Sequence, residues 1–194
     1  MKKLLVTAFE PFGGDEINAS LETLKRLDDV IAGFQIVKLQ VPVVFEEAGG
    51  LVISKAEEIG ADAVLSLGQA AGRAEVTPEY VAINLRNARI PDNAGRQPSL
   101  EPIDKEGPAA FFATLPVFEM ANAINGAGVP GNVSYSAGTY VCNDLFYTVM
   151  KHFDRTGIKA GFIHVPGLQS EAEPGQHMTL DDMIMAVTAA IKAI

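Results

Sequence analysis

The sequence predicts an α/β fold, with a mostly parallel, twisted central sheet covered by helices on both faces. It forms one domain over residues 1–194. Three observations predict this. Strand-length segments recur at 3–9, 34–43, 63–67 and 159–165. Their apolar residues run continuously instead of alternating, as they do where both faces of a sheet are buried. Between them lie segments whose apolar residues recur at helical spacing.

Lys3 to Phe9 reads as a first buried strand, ending in a loop shaped by Pro11, Gly13 and Gly14. Asn18 or Ser20 can cap the next helix, whose apolar face is Leu21, Leu24, Leu27 and Ile31. Phe34 to Val43 is the second strand, Phe45 to Ile59 the second helix and Ala63 to Leu67 the third strand. Pro78 to Leu85 alternates weakly, as an added strand or a hairpin arm. Asn87 to Lys105, rich in Pro, Gly, Asn and Asp, reads as a long irregular loop of the kind that carries function or contacts. Ala109 to Leu115 fits a strand, and Pro116 starts a helix that runs to about Asn125. Asn132 to Ser136 reads as a short strand leading into a turn at Gly138. Val141, Leu145, Phe146, Val149, Met150 and Phe153 then make a helix. Lys159 to Val165 is the last strand, and 167–178 a second irregular loop. Thr179 and Asp182 form a capping box for a final helix burying Leu180, Met183, Ile184, Val187, Ile191 and Ile194.

Composition narrows the function. At 194 residues and 48% hydrophobic, the chain can bury a core without a disulfide or a metal. A net charge of −9 argues against nucleic-acid and anionic-membrane partners, which need a basic face. A single cysteine, no long apolar run and no leader-like start lead us to expect a soluble, cytoplasmic protein.

In such a sheet, ligands bind beyond the carboxyl ends of the strands. The loop 9–18, the segment 68–73, the turn before Cys142 and His164 all fall there. Cys142, the only cysteine, sits in the first turn of its helix. Unpaired N–H groups and the helix dipole favour an anion there, so the thiol is expected to ionise readily and the N–H groups to hold an oxyanion. The alternative for a lone cysteine is a small buried hydrophobe. A cysteine nucleophile needs a base. His152 lies ten residues along the helix, about 15 Å away, and His177 lies in a loop, which leaves His164 at its strand end. Spacing cannot choose among Glu10, Asp15, Glu16, Glu75 and Glu79 for the group that orients the imidazole. No nucleotide phosphate loop, dinucleotide fingerprint or metal-ligand spacing is present. Phe9 and Phe12 are core residues or the walls of a site for a flat neutral ring.

The motifs resemble one family, the type I pyroglutamyl-peptidases (pyrrolidone-carboxylate peptidases), along almost the whole chain. They are Thr7-Ala-Phe-Glu-Pro-Phe-Gly-Gly14 with Asn18 and Ser20, Gly68-Gln-Ala-Ala-Gly-Arg73, Glu79-Tyr-Val-Ala-Ile-Asn84, Ala88-Arg-Ile-Pro-Asp-Asn93, Gly107-Pro-Ala-Ala110, Ser136-Ala-Gly-Thr-Tyr-Val-Cys-Asn143 and Gly161-Phe-Ile-His-Val-Pro166. The resemblance implies a cysteine peptidase with a single α/β/α domain that removes N-terminal pyroglutamate from peptides, needs no cofactor and commonly forms homotetramers. It implies that Cys142 is the nucleophile, His164 the base and Glu79 the acid of the triad. It further implies that Phe9 and Phe12 bracket the pyrrolidone ring, that Asn18 and Gln69 line its pocket, and that Arg89 lies near the oxyanion region. Ala8, Ala19, Tyr80 and the run Gly167-Leu-Gln169 depart from the family pattern. Two other readings remain at this stage: a cysteine amidase for another small cyclic amide, and a pyroglutamyl-binding protein without turnover.

Overall fold

A computed structural model describes residues 1–168 and 177–194. The chain runs β1 (Lys2–Phe9), α1 (Ala19–Arg26), β2 (Val30–Ile31), β3 (Phe34–Val41), α2 (Glu47–Ile59), β4 (Ala63–Gln69), β5 (Thr77–Glu79), β6 (Val81–Ile83) and β7 (Ala110–Phe112). It continues through α3 (Val117–Gly126), α4 (Val141–Phe153), β8 (Lys159–Val165), β9 (Gly167–Leu168), β10 (His177–Met178) and α5 (Leu180–Lys192).

The central sheet has the order β2-β3-β1-β4-β8-β5. Its four inner strands are parallel, and the short edge strands β2 and β5 are antiparallel to their neighbours. The continuous apolar runs follow from burial on both faces. Leu4 and Val6 on β1, Leu65 and Leu67 on β4 and Ile163 on β8 pack with apolar residues of α1, α3 and α5. Leu5, Val64 and Phe162 turn the other way, toward α2 and α4. Each such fully buried side chain stabilises the fold by about 1.5–3 kcal/mol. The expected α/β/α layering is what the chain adopts.

Several local expectations change. Helix α1 stops at Arg26, because Leu27 is already extended (ψ 145°), and Ile31 is buried from β2 instead. Residues 78–85 split at Tyr80 between β5, on the main sheet, and β6, which pairs with β7. Strand β7 is shorter than expected, and Pro116 is the cap of α3, not its first helical residue. Residues 132–136 are not a strand. They bridge β5 at one point, Glu79 with Ser134, next to a further bridge between Val76 and Gly131. The side chain of Ser134 takes the Ser136 N–H, so a local turn competes with the ladder. Of the loop expected over 167–178, the two ends pair as β9 and β10, and 169–176, with Gln169, lie outside the described residues.

Pro78 suits the edge position of β5. It lacks an N–H, and its carbonyl accepts from Ser134 N at 2.9 Å. This placement brings the neighbouring Glu79 into the sheet opposite Phe162.

Candidate active site

Three loops and one helix start converge at the carboxyl ends of β1, β4 and β8. His164 lies one residue before the end of β8, and Thr77 of β5 is its register partner. Glu79 stands opposite Phe162, so its side chain shares a face with those of Phe162 and His164. His164 Nδ1 is 2.7 Å from Glu79 Oε1, and both residues are buried. The Phe162 ring packs against the imidazole at 4.8 Å. With Nδ1 committed to the carboxylate, Nε2 is the nitrogen left for proton transfer.

Of the five candidate acids, only Glu79 reaches an imidazole at the strand end. Asp15, Glu16 and Glu75 are exposed. Glu10 holds loops together, its Oε1 accepting from Val43 N at 3.2 Å and Asn93 Nδ2 at 2.8 Å. Burial pushes the Glu79 carboxyl up, but the hydrogen bond and charge of His164, with Ser134 and Arg73, outweigh it. The carboxyl ends below the usual range.

Cys142 is the second residue of α4. The preceding turn needs Gly138, whose φ is +77°. Tyr140 is an extended N-cap without a side-chain cap bond, so its own side chain does not cover the first-turn N–H groups. Gly68 lets the thiol approach the sheet, since a Cβ there would stand 3.0 Å from Cys142 Sγ. Gly68 is also the register partner of His164, which puts the sulfur beside the imidazole's strand position. The helix start does not make this thiol acidic. Burial, reinforced by the charge of Glu79, pushes it up to about 12, against the lowering pull of Arg73 and a backbone N–H. Desolvation of the anion outweighs both lowering contributions.

A narrow cleft opens at Cys142, lined by Phe9, Phe12, Asn18, Val43, Gln69, Tyr140 and Val141. Phe9 is buried against Phe162, with ring centroids 6.4 Å apart. Phe12 is half-buried and packs on Tyr140 at 6.0 Å. Asn18 serves as cap as well as wall. Its Oδ1 accepts from Ser20 N at 3.0 Å, and its Nδ2 donates to Glu10 O at 3.1 Å. Gln69 Oε1 accepts from Ala19 N at 2.5 Å, which leaves Nε2 for a ligand. Arg89 does not line this cleft. It lies in a neighbouring one that shares Phe12 and Tyr140 and includes Gly138 and Thr139.

The family described as pyroglutamyl peptidase matches residues 2–194. The chain belongs to the pyroglutamyl peptidase family. It is 51% identical to pyrrolidone-carboxylate peptidase 1 of Caldanaerobacter subterraneus subsp. tengcongensis, over 99% of this chain and 97% of that one. The crystal structure of pyroglutamyl peptidase I from Bacillus amyloliquefaciens superposes with a TM-score of 0.95 at 41% identity, covering 100% of this chain and 96% of that one. The pyrrolidone carboxyl peptidase from Thermococcus litoralis gives 0.92 at 36%, covering 100% and 93%.

This pyroglutamyl peptidase-family chain absorbs its departures from the family pattern locally. Tyr80 points away from Glu79 into a cluster with Phe112, Phe118 and Tyr135. A Cβ on Gly167 would stand 2.9 Å from His177 Nδ1, so the bare backbone there admits that ring. Ala19 supplies the N–H that holds Gln69.

Three site residues escaped the sequence reading. Asn143, next to the thiol, donates from Nδ2 to Ile83 O at 2.8 Å and Leu85 O at 3.0 Å, and accepts from Ile83 N at 2.9 Å. Asp144 pairs with Arg86 at 2.5 Å, both buried. Arg73 reaches Glu79. Only the cysteine motif and the Gly68–Arg73 run hinted at them, and neither specifies a partner. Among the described residues no three His, Cys, Asp or Glu side chains cluster closely enough to hold a metal, and no helix is long and apolar enough to cross a membrane.

Proposed function

We propose that Cys142, His164 and Glu79 carry out the pyroglutamyl-peptidase reaction of this family, releasing pyroglutamate from the N-terminus of peptides. The observation that carries the reading is the cleft at Cys142. It has aromatic walls, two side-chain amides and no charged lining residue. A pyrrolidone ring is flat and neutral and carries one N–H and one C=O, which that lining suits. A free N-terminal glutamine would bury an unpaired ammonium there, so it is rejected.

In this reading the ring lies between Phe9 and Phe12, with Asn18 and Gln69 at its polar edge. Its exocyclic carbonyl faces Cys142. His164 Nε2 takes the thiol proton as sulfur attacks, because the thiol's raised pKa keeps free thiolate scarce. N–H groups at the start of α4 hold the oxyanion. One such donor is typically worth about 3–4 kcal/mol in the transition state. The imidazolium then protonates the leaving amine, and neutral His164 activates the water that releases pyroglutamate from the thioester. Glu79 fixes the imidazole and stabilises its charged form. The catalytic unit is the single domain 1–194. By composition it acts in the cytoplasm and by family resemblance as a homotetramer, and light scattering of the purified chain tests that assembly.

The test is release of a fluorogenic amine from a pyroglutamyl amide by wild type and Cys142→Ser, with a glutamine amide as control. Turnover of the pyroglutamyl compound alone, lost in the variant, is expected. No turnover by folded, reduced wild type, or equal turnover of the glutamine amide, overturns the reading.

A further inference from the structure

We propose that Arg73 is a positioning residue for this reaction, clamping the triad carboxylate to the loop that delivers the nucleophile. The proposal rests on the triad reading above. Arg73 follows β4 in the turn at 70–73, closed by Arg73 N donating to Ala70 O at 2.9 Å. Its guanidinium spans three partners. Nη1 donates to Glu79 Oε1 at 2.6 Å and to Thr77 Oγ1, and Nη2 donates to Ser136 O at 3.0 Å. Thr77 and Glu79 sit on β5, and Ser136 begins the turn that ends at Cys142. One side chain therefore joins the acid's strand to the nucleophile's loop.

Glu79 Oε1 serves two donors, His164 Nδ1 and Arg73 Nη1. Glu79 Oε2 is buried without a hydrogen-bond partner among the described residues. The position of the carboxylate is thus set largely from one oxygen, and Arg73 opposes the pull of His164 on it. Ser134 is bridged to Glu79 through its backbone, and its hydroxyl donates to Ser136 O at 3.2 Å. The charged and titratable groups facing the carboxylate are His164 on β8, Cys142 on α4 and Arg73 itself. Helix α3, also packed on β5, presents apolar residues there, and its Glu119 is exposed. A fixed cation at this point favours the Cys142 thiolate.

The experiment compares wild type, Arg73→Gln and Arg73→Lys in two ways. One is the pH dependence of kcat and KM for a pyroglutamyl amide, and the other is the pH dependence of Cys142 alkylation by iodoacetamide. Arg73→Gln is expected to lower kcat by about 10- to 100-fold with KM within about threefold of wild type. The limb of its pH profile set by thiol ionisation should move upward by roughly half a unit or more, because the nearby cation no longer assists that ionisation. Its alkylation curve should move the same way. Arg73→Lys keeps the charge but not the forked contact, so its limbs should stay in place while kcat falls about tenfold. A purely structural arginine would leave the limbs of Arg73→Gln unmoved, and that result, or wild-type kcat in Arg73→Lys, overturns the proposal. If Arg73→Gln does not fold, the lysine variant decides. If wild type has no peptidase activity, the functional reading fails separately, and the alkylation curves still test Arg73.

Discussion

Gly68 and His164 face each other across β4 and β8, and a methyl group on Gly68 would stand 2.8 Å from the Phe162 ring and 3.0 Å from the Cys142 sulfur. The thiol lies against this stretch of β4 in a gap that only glycine leaves open. Gly68→Ala should therefore displace Cys142 or Phe162. We expect a stability loss of about 1–3 kcal/mol in urea titration. We also expect a fall in kcat of up to about 100-fold, since misplacement of about 1 Å suffices for that. Wild-type kcat in a folded Gly68→Ala variant would show that the close approach is unimportant.

The link between Glu79 and His164 should register in both rate and acid stability. Glu79→Gln leaves the imidazole without an anion, and kcat should drop by roughly 10²- to 10⁴-fold. The folded carboxyl lies below its ordinary value of 4.5. Its contribution is therefore fully present above that pH and is lost as pH falls through the lower, folded value. The stability gap between wild type and Glu79→Gln should be widest above pH 4.5 and close below it. A gap that widened on acidification would contradict the assignment.

Ala19 holds Gln69 through a backbone N–H that proline lacks. As the first residue of α1, position 19 tolerates proline, so Ala19→Pro isolates this one bond. Losing a bond worth about 0.5–1.5 kcal/mol should raise KM for a pyroglutamyl amide roughly 2- to 12-fold, with kcat little changed. An unchanged KM would remove the held Gln69 amide from the account of binding.

Asp144, one turn into α4, secures the long loop after β6. Its Oδ1 accepts from Arg86 Nε at 2.5 Å and its Oδ2 from Glu46 N at 2.8 Å. Arg86 in turn exchanges backbone hydrogen bonds with Glu101. Asp144→Ala leaves Arg86 as a buried cation with only the exposed Glu46 beside it, and should cost about 3–5 kcal/mol. For a chain of this size that lowers Tm by about 10 °C, measurable by calorimetry. A shift of only a degree or two would mean the pair is neutral overall.

Apolar patterning made the layers legible. Burial on both faces wrote β1, β4 and β8 as compact apolar runs, and α4 showed its buried face at helical spacing. The weaker elements were misread where a partner decides. Residues 132–136 look extended, but turn bonds at Ser134 and Ser136 interrupt their pairing with β5. Ile31 continues the spacing of α1 but is buried from a strand, because apolar spacing does not record where the backbone turns.

By itself the sequence determined the sheet with its two helical layers, the place of Cys142 at a helix start and that of His164 at a strand end, because hydrophobic period and chain order are local properties. The tertiary structure alone decided which of five carboxylates meets His164, since Glu79 reaches it across 85 residues through antiparallel pairing of β5 with β8. It also decided the state of the thiol. The helix start argues for an acidic Cys142, yet the surrounding protein removes water from the sulfur and pushes its pKa up to about 12. Desolvation is the sum of everything packed around an atom, and no stretch of sequence holds that sum.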